Sequence, residues 1–394
     1  MAVSEHVYTY SDLMDYVTAI TDGGARTKDL RMHKETILGA YRDISMCYEW
    51  KYYIKEARVD LVANYKTGTI SYTSSNRRVV LTGGTWPSWV KYGRIRIDDV
   101  VYDVEDTVSG LETSTITLTE DSNPGVDLSA GTSYDLFRSV YPLPDDLWRI
   151  YDVGVEKNHW ITYYISPSEW RQREAFHQAS GQTWAWTIMK DPDNDGRWSL
   201  CVDPSPNTAE PLMFVYRRKP RVLRWAGTET AARTGTTSGS VSAGGASISI
   251  ASATPSSSMV GSIIRFGDSS NAPTGLAGSY PYSEQAKIKT VSGGNLVLSE
   301  GVTYDIPSGT KVLITDPVDM PDTMLEALKA QIEYRFARFA NDQRGVATAR
   351  QVADFELRRA LEADQLYHAG IGQGSHSRYH YLFSNLDGQI ATDA

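Results

Sequence analysis

The run Asp191-Pro192-Asp193-Asn194-Asp195-Gly196 sets three carboxylates at alternate positions ahead of a glycine, which is how a calcium-binding loop begins. Such a loop closes with a bidentate glutamate at its twelfth position, which here is Val202, with Asp203 one place late. The flanking runs "WAWTIMK" and "RWSLCVD" alternate like strands, whereas a calcium loop is flanked by helices. A tight hairpin turn is the favoured reading, with Asp191, Asp193 and Asp195 kept as a weak metal candidate. The Gly, Ser and Tyr around His368, His376 and His380 read as extended chain, so a metal site is not expected there. "GIGQG" at Gly370 follows a helical pattern where a phosphate cradle needs a strand, so it reads as linker. No G-x-S-x-G or H-E-x-x-H run occurs. Catalysis is not expected, and no cofactor is implied.

Aromatic side chains are the other concentrated chemistry. Six of the ten tryptophans (Trp148, Trp160, Trp170, Trp184, Trp186 and Trp198) lie between Leu147 and Trp198. They suit a compact mixed α/β layer or a subunit interface, with a carbohydrate-stacking face as the rival reading.

The elements that position these residues follow from periodicity. Ser11 reads as an N-cap for a helix with Leu13, Tyr16, Val17 and Ile20 on one stripe, stopped by Asp22-Gly23-Gly24. Thr27 opens a second helix with Leu30, Ile37, Tyr41, Ile44 and Tyr48 aligned. Near the C-terminus, Pro321 precedes a helix striped by Leu325, Leu328, Ile332, Phe336 and Phe339. After "NDQRG" another carries Val346, Ala349, Val352, Ala353, Leu357, Ala360 and Leu361. These four helices are expected to pack as one bundle.

Between the helices the chain repeats itself. Thr107-Val108-Ser109-Gly110 and Thr290-Val291-Ser292-Gly293 each precede an alternating run, with Ile116 and Leu118 in one copy and Leu296 and Leu298 in the other facing a core. Upstream, Gly68 to Ser71 matches Gly239 to Ser242, "VVLTGGTWPSW" matches "ISIASATPSSS", and Gly93 to Ile97 matches "GSIIRF". Downstream, "SAGTSYDLF" matches "PSGTKVLIT". Short alternating strands between Gly, Ser, Asn and Pro turns are the pattern of a small antiparallel sandwich or barrel.

The expected fold class is therefore α+β: a terminal α-helical bundle (1–66 and 320–369), a mixed α/β middle segment (144–226) and two inserted, duplicated antiparallel β-sandwich or barrel modules (67–143 and 227–319). An extended tail (370–394) follows, in which Tyr379, Tyr381, Leu382 and Phe383 form a dense apolar cluster suited to order on a partner.

Composition narrows the function. No apolar run approaches the ~20 residues that span a bilayer, so no membrane partner is expected. Two cysteines, Cys47 and Cys201, cannot build a disulfide framework and point to a reducing compartment. The net charge is −9, yet residues 98–152 alone carry thirteen Asp and Glu against Arg138 and Arg149. Sequence-directed DNA binding requires a basic face and is not expected.

The run "TGTISYTSSNRRVVLTGGTWPSWVKYGRIRI" with "YDVEDTVS", "ITLTE" and "YPLPDDLWRIYDV" resembles the β-modules of bacteriophage virion proteins, especially head-to-tail adaptors (connector or tail tubular proteins). In that family an LP-D-[DE] step returns the chain to the core, here Leu143-Pro144-Asp145-Asp146, and Leu200 to Pro220 resembles a strand-turn-strand of the same proteins. The second module departs from the compact adaptors. The resemblance implies a structural, non-enzymatic virion protein made in the host cytoplasm and sited at the head–tail junction. It would form a homo-oligomeric ring of about twelve copies beneath the portal protein. The ring would offer a platform to tail or nozzle proteins and fibres while viral DNA passes through unbound. Tyr379, Tyr381, Leu382 and Phe383 are the expected portal or subunit contacts, and Phe336 and Phe339 the expected ring-interface residues. Another virion component, such as a tail-fibre or tailspike adaptor, or a glycan-binding β-module protein, is the alternative.

Overall fold

A computed structural model describes residues 7–21, 27–105, 114–155, 160–176, 181–190, 196–227, 229, 234–251, 255–267, 284–339 and 343–366. Among them the chain forms five α-helices, α1 Tyr10–Ile20, α2 Thr27–Met46, α3 Pro167–Phe176, α4 Asp322–Phe339 and α5 Gln343–Leu366, with many antiparallel strands, a mixed α+β fold. Two compact units result, one from 1–52 and 220–394, the other from 53–219.

In the first unit α2 packs on α1 and α4, and α5 packs on α4. Leu13, Met14 and Val17 of α1 are buried, as are Ile37, Tyr41 and Ile44 of α2. The start of α1 is set two residues earlier than Ser11. Thr9 N–H donates to Asp12 Oδ2 at 2.8 Å, while Ser11 lies inside the helix and its N–H donates to Thr315 Oγ1 at 3.1 Å. Asp12 also receives both terminal nitrogens of Arg265, and Arg265 is 1% exposed. A buried guanidinium needs such a paired carboxylate, since an uncompensated charge in low dielectric is costly.

The same unit holds a seven-stranded sheet whose order runs Ser247–Ile248, Asn295–Leu298, Glu284–Ser292, Ile263–Phe266, Lys311–Thr315, Thr234–Thr237, Ile250–Ala251. Its first and last strands are separated only by Ser249, so the sheet closes on itself around Ile248, Ile264, Phe266, Ile288, Leu296 and Ile314.

In the second unit, the described residues between 65 and 137 include strands with the same pairings. Val79 faces Ile116 as Ile248 faces Leu296. Ile95 faces Leu136 as Ile264 faces Ile314. Val104 faces Leu118 as Ile288 faces Leu298. Ile70 faces Leu81 as Thr237 faces Ile250. This last register corrects the sequence alignment: the partner of Thr67-Gly68-Thr69 is Thr234-Gly235-Thr236, not Gly239 to Ser242. The physical reason is a close approach. A Cβ on Gly68 would sit 2.3 Å from the carbonyl oxygen of Thr82, and one on Gly235 would sit 2.5 Å from that of Ala251. Ile95 and Ile264 being equivalent, Gly93 corresponds to Ser262, one place from the expected match. The first TVSG run lies outside the described residues; the second ends its strand at Gly293 and Gly294, both at positive φ.

The rest of the second unit also departs from expectation. Residues 54–61 form a strand, where a helical segment was expected, and pair along their length with Glu210–Arg218. That strand, with Leu147–Val155 and Trp160–Ile161, forms one sheet; Tyr163–Tyr164, Ala185–Lys190, Trp198–Asp203 and Val140–Pro142 form another. Leu61, Leu212 and Phe214 of the first share a core with Trp186, Leu200 and Val202 of the second. The middle segment is thus two sheets with α3 packed at one side, and its residues 220–226 belong to the other unit.

Candidate interaction surfaces

The helices α4 and α5 of the first unit leave several apolar side chains exposed. In α4 the buried residues are Met324, Ala327, Leu328, Ala330 and Ile332, so the face turned inward is rotated from the expected stripe. Leu325 and Phe336 are half-buried, and Phe336 meets the buried His33 ring edge-on at 6.4 Å. Phe339, at the end of α4, is 54% exposed. Among the described side chains of α5, Ala353 and Ala360 are the buried ones, seven residues apart and small enough to let the two helices approach closely. Val352 and Phe355 are exposed, at 44% and 64%. Val352 was expected on the packed stripe, and Phe355 was missed because it lies off that stripe. Phe339, Val352 and Phe355 are thus apolar side chains left in water on these two helices.

A groove of about 380 Å³ opens between α2, α4 and α5, with Asp43, Cys47, Tyr334, Arg350 and Leu357 on its walls. Its floor is polar and locked. Asp43 Oδ2 accepts from Arg335 Nε at 2.9 Å, Arg335 Nη2 at 2.6 Å and Gln331 Nε2 at 3.0 Å. Gly39 makes room for that guanidinium, since a Cβ there would lie 2.4 Å from Arg335 Nη1. At the other side of α4, the Tyr16 phenol donates to Glu333, and burial followed by this carboxylate raises its pKa. Burial, with Asp12 second, pushes Tyr8 up to about 12. Both effects favour neutral phenols in tight helix contacts, a structural pattern with no poised acid or base in it.

The tryptophans divide. Trp170 and Trp186 are buried in the second unit, and Trp184 is stacked by Arg173 at 4.7 Å. Trp148 and Trp198 are exposed, as are Tyr163 and Tyr164 on a two-residue edge strand. A single stacking face built from all six tryptophans is therefore excluded by the burial of two of them.

Asp191, Asp193 and Asp195 lie outside the described residues, and so do Tyr379, Tyr381, Leu382 and Phe383. Among the described residues no group of three His, Cys, Asp or Glu side chains converges to hold a metal, and no helix is long and apolar enough to cross a membrane. The residues brought together thus define a mixed α+β chain with apolar helical surface and two β-domains of like pairing. No known protein family and no curated protein matches this chain.

Proposed function

We propose that this chain is a structural virion protein, a head-to-tail adaptor that assembles as a ring beneath the portal, continues the DNA channel and offers the tail a platform. The observation that carries the reading is the pair of β-domains with one pairing scheme and one TGT glycine requirement, which we take as a duplicated module. A twice-used module whose described residues bring no three His, Cys, Asp or Glu side chains together serves attachment better than chemistry. The exposed apolar residues of α4 and α5 supply what a ring neighbour needs, a partly apolar face. The acidic stretch 98–152 suits a channel wall, since each added cation would increase salt-dependent retention of DNA.

Electron microscopy of the protein mixed with a portal ring tests this reading: stacked rings are expected, and their absence with a competent portal would reject it. Phe339→Asp and Phe355→Asp should leave thermal unfolding within about 0.5 kcal/mol of the parent, because both side chains are exposed. Both should abolish ring formation. Phe336→Asp should instead destabilise the monomer, through its contact with His33. Deleting 370–394 is expected to spare folding and remove portal attachment; attachment at the parental level would refute the role given to Tyr379, Tyr381, Leu382 and Phe383.

A glycan-binding role is the second reading, favoured by the exposed Tyr163 and Tyr164. It is tested by sugar binding to the monomer and its loss in Tyr163→Ala. Trp186→Ala cannot serve here, since Trp186 is buried and its truncation would report on stability.

A further inference from the structure

The two β-domains treat one position in opposite ways. Because Leu136 and Ile314 are equivalent in register, the residues two places on, Arg138 and Asp316, are equivalent too. Asp316 is 1% exposed and saturated. Its carboxylate accepts from Arg224 N at 2.7 Å, Trp225 N at 3.0 Å, Ser262 Oγ at 2.8 Å and Arg221 Nη2 at 3.1 Å.

Arg138 has the opposite charge and no ionic partner: among the described residues, no carboxylate forms a salt bridge with it. Its guanidinium is nevertheless held in place. The Cζ atom lies 4.9 Å from the Tyr92 ring centroid and 4.6 Å from that of Tyr141, and Nε donates to Val140 O at 3.0 Å. Tyr141 is itself pinned, its hydroxyl donating to Arg138 O at 3.2 Å and accepting from Val62 N at 3.1 Å. Lys91 Nζ approaches the same Tyr92 ring, at 4.5 Å. The half-buried guanidinium is thus held in an orientation set by two rings, with Nε the nitrogen that is hydrogen-bonded among the described residues.

We propose that Arg138 is a receiving site for a carboxylate side chain presented by another protein chain. A planar fork fixed by stacking loses little freedom on binding and matches a carboxylate with two parallel N–H···O bonds. A nucleic-acid backbone would need a row of cations for its successive phosphates, whereas among the described residues the one further cation shown at these rings is Lys91. The proposal stands apart from the adaptor reading and survives its failure, since it needs only a partner with one accessible Asp or Glu.

The test is thermal unfolding of the full chain in the presence of a capped glutamyl dipeptide, of inorganic phosphate, and of sodium chloride at matched ionic strength. Preferential binding to the folded chain raises the melting temperature by mass action. The dipeptide should raise it in the parent and in Arg31→Gln, an exposed arginine elsewhere. The rise should vanish in Arg138→Gln and fall by more than half in Arg138→Lys, which keeps charge without the fork. If Arg138→Gln is unfolded, Arg138→Lys decides alone. A rise that persists in the Arg138 variants, that chloride reproduces, or that the parent never shows overturns the proposal. A rise with phosphate but not with the dipeptide overturns the carboxylate assignment in favour of a phosphate ligand.

Discussion

Asp12→Ala is expected to cost the helical unit about 3–5 kcal/mol, because it strands a guanidinium that is 1% exposed. Arg265 gives Asp12 two bonds, with Nη1 at 2.8 Å from Oδ1 and Nη2 at 2.5 Å from Oδ2, and a further one to Val7 O at 3.3 Å. The same carboxylate also accepts the Thr9 N–H that opens α1, so the substitution removes a helix cap as well. Asp12→Asn separates the two effects. An amide oxygen can still accept from Thr9, and the remaining loss reports the missing charge. Replacing both partners, Asp12→Leu with Arg265→Met, should recover most of the stability, since a buried ion pair is often no better than apolar residues of similar volume. Urea unfolding monitored by circular dichroism measures all three. An Asp12→Ala protein within 1 kcal/mol of the parent would show that the buried pair does not hold α1 to the closed sheet.

Gly68→Ala and Gly235→Ala form the second large expectation, and they bear on the equivalence of the two β-domains. Each added methyl would meet a backbone carbonyl oxygen, at 2.3 Å from Thr82 and 2.5 Å from Ala251, and backbone cannot rotate out of the way as a side chain can. A loss of about 2–4 kcal/mol is expected for each, as for other forced overpacking of a closed structure. Gly68 should lose more, because its φ of +85° adds strain for any residue with a Cβ. Gly125→Ala is the control: φ is +71° but nothing lies within 4 Å, so only the strain of about 1–2 kcal/mol should appear. If Gly235→Ala unfolds like the parent while Gly68→Ala does not, the two TGT turns are not equivalent and the duplicated-module reading fails.

Much of this fold can be read from the residues, because periodicity survives wherever one face is buried. The alternation at Ile116 and Leu118, and at Leu296 and Leu298, announced core-facing strands, and all four side chains are buried. The stripe Ile37, Tyr41 and Ile44 likewise marked the packed side of α2. The TGT repeat was also present in the residues, but a glycine match at Gly239 competed with it. Only the strand register, and the carbonyls of Thr82 and Ala251 pressed against Gly68 and Gly235, selected the right one.

Other features have no local signature. Arg265 and Asp12 are 253 residues apart and polar, so nothing in either neighbourhood predicts a buried pair. The strand Ile54–Leu61 alternates charged residues on its solvent face and reads weakly; it is a strand because Glu210–Arg218 offers its edge. The exposure of Val352 and Phe355 follows from α5 packing chiefly on α4, which leaves part of its surface uncovered. Arg138 and Asp316 look like unrelated charges until the strand register makes them the same position, one satisfied within the chain and the other left open. Sequence by itself determined which residues could build helices, strands and turns, since those choices depend on neighbours a few positions away. Tertiary structure alone decided which charges were buried and paired, because that depends on which distant segment arrives to desolvate and neutralise them.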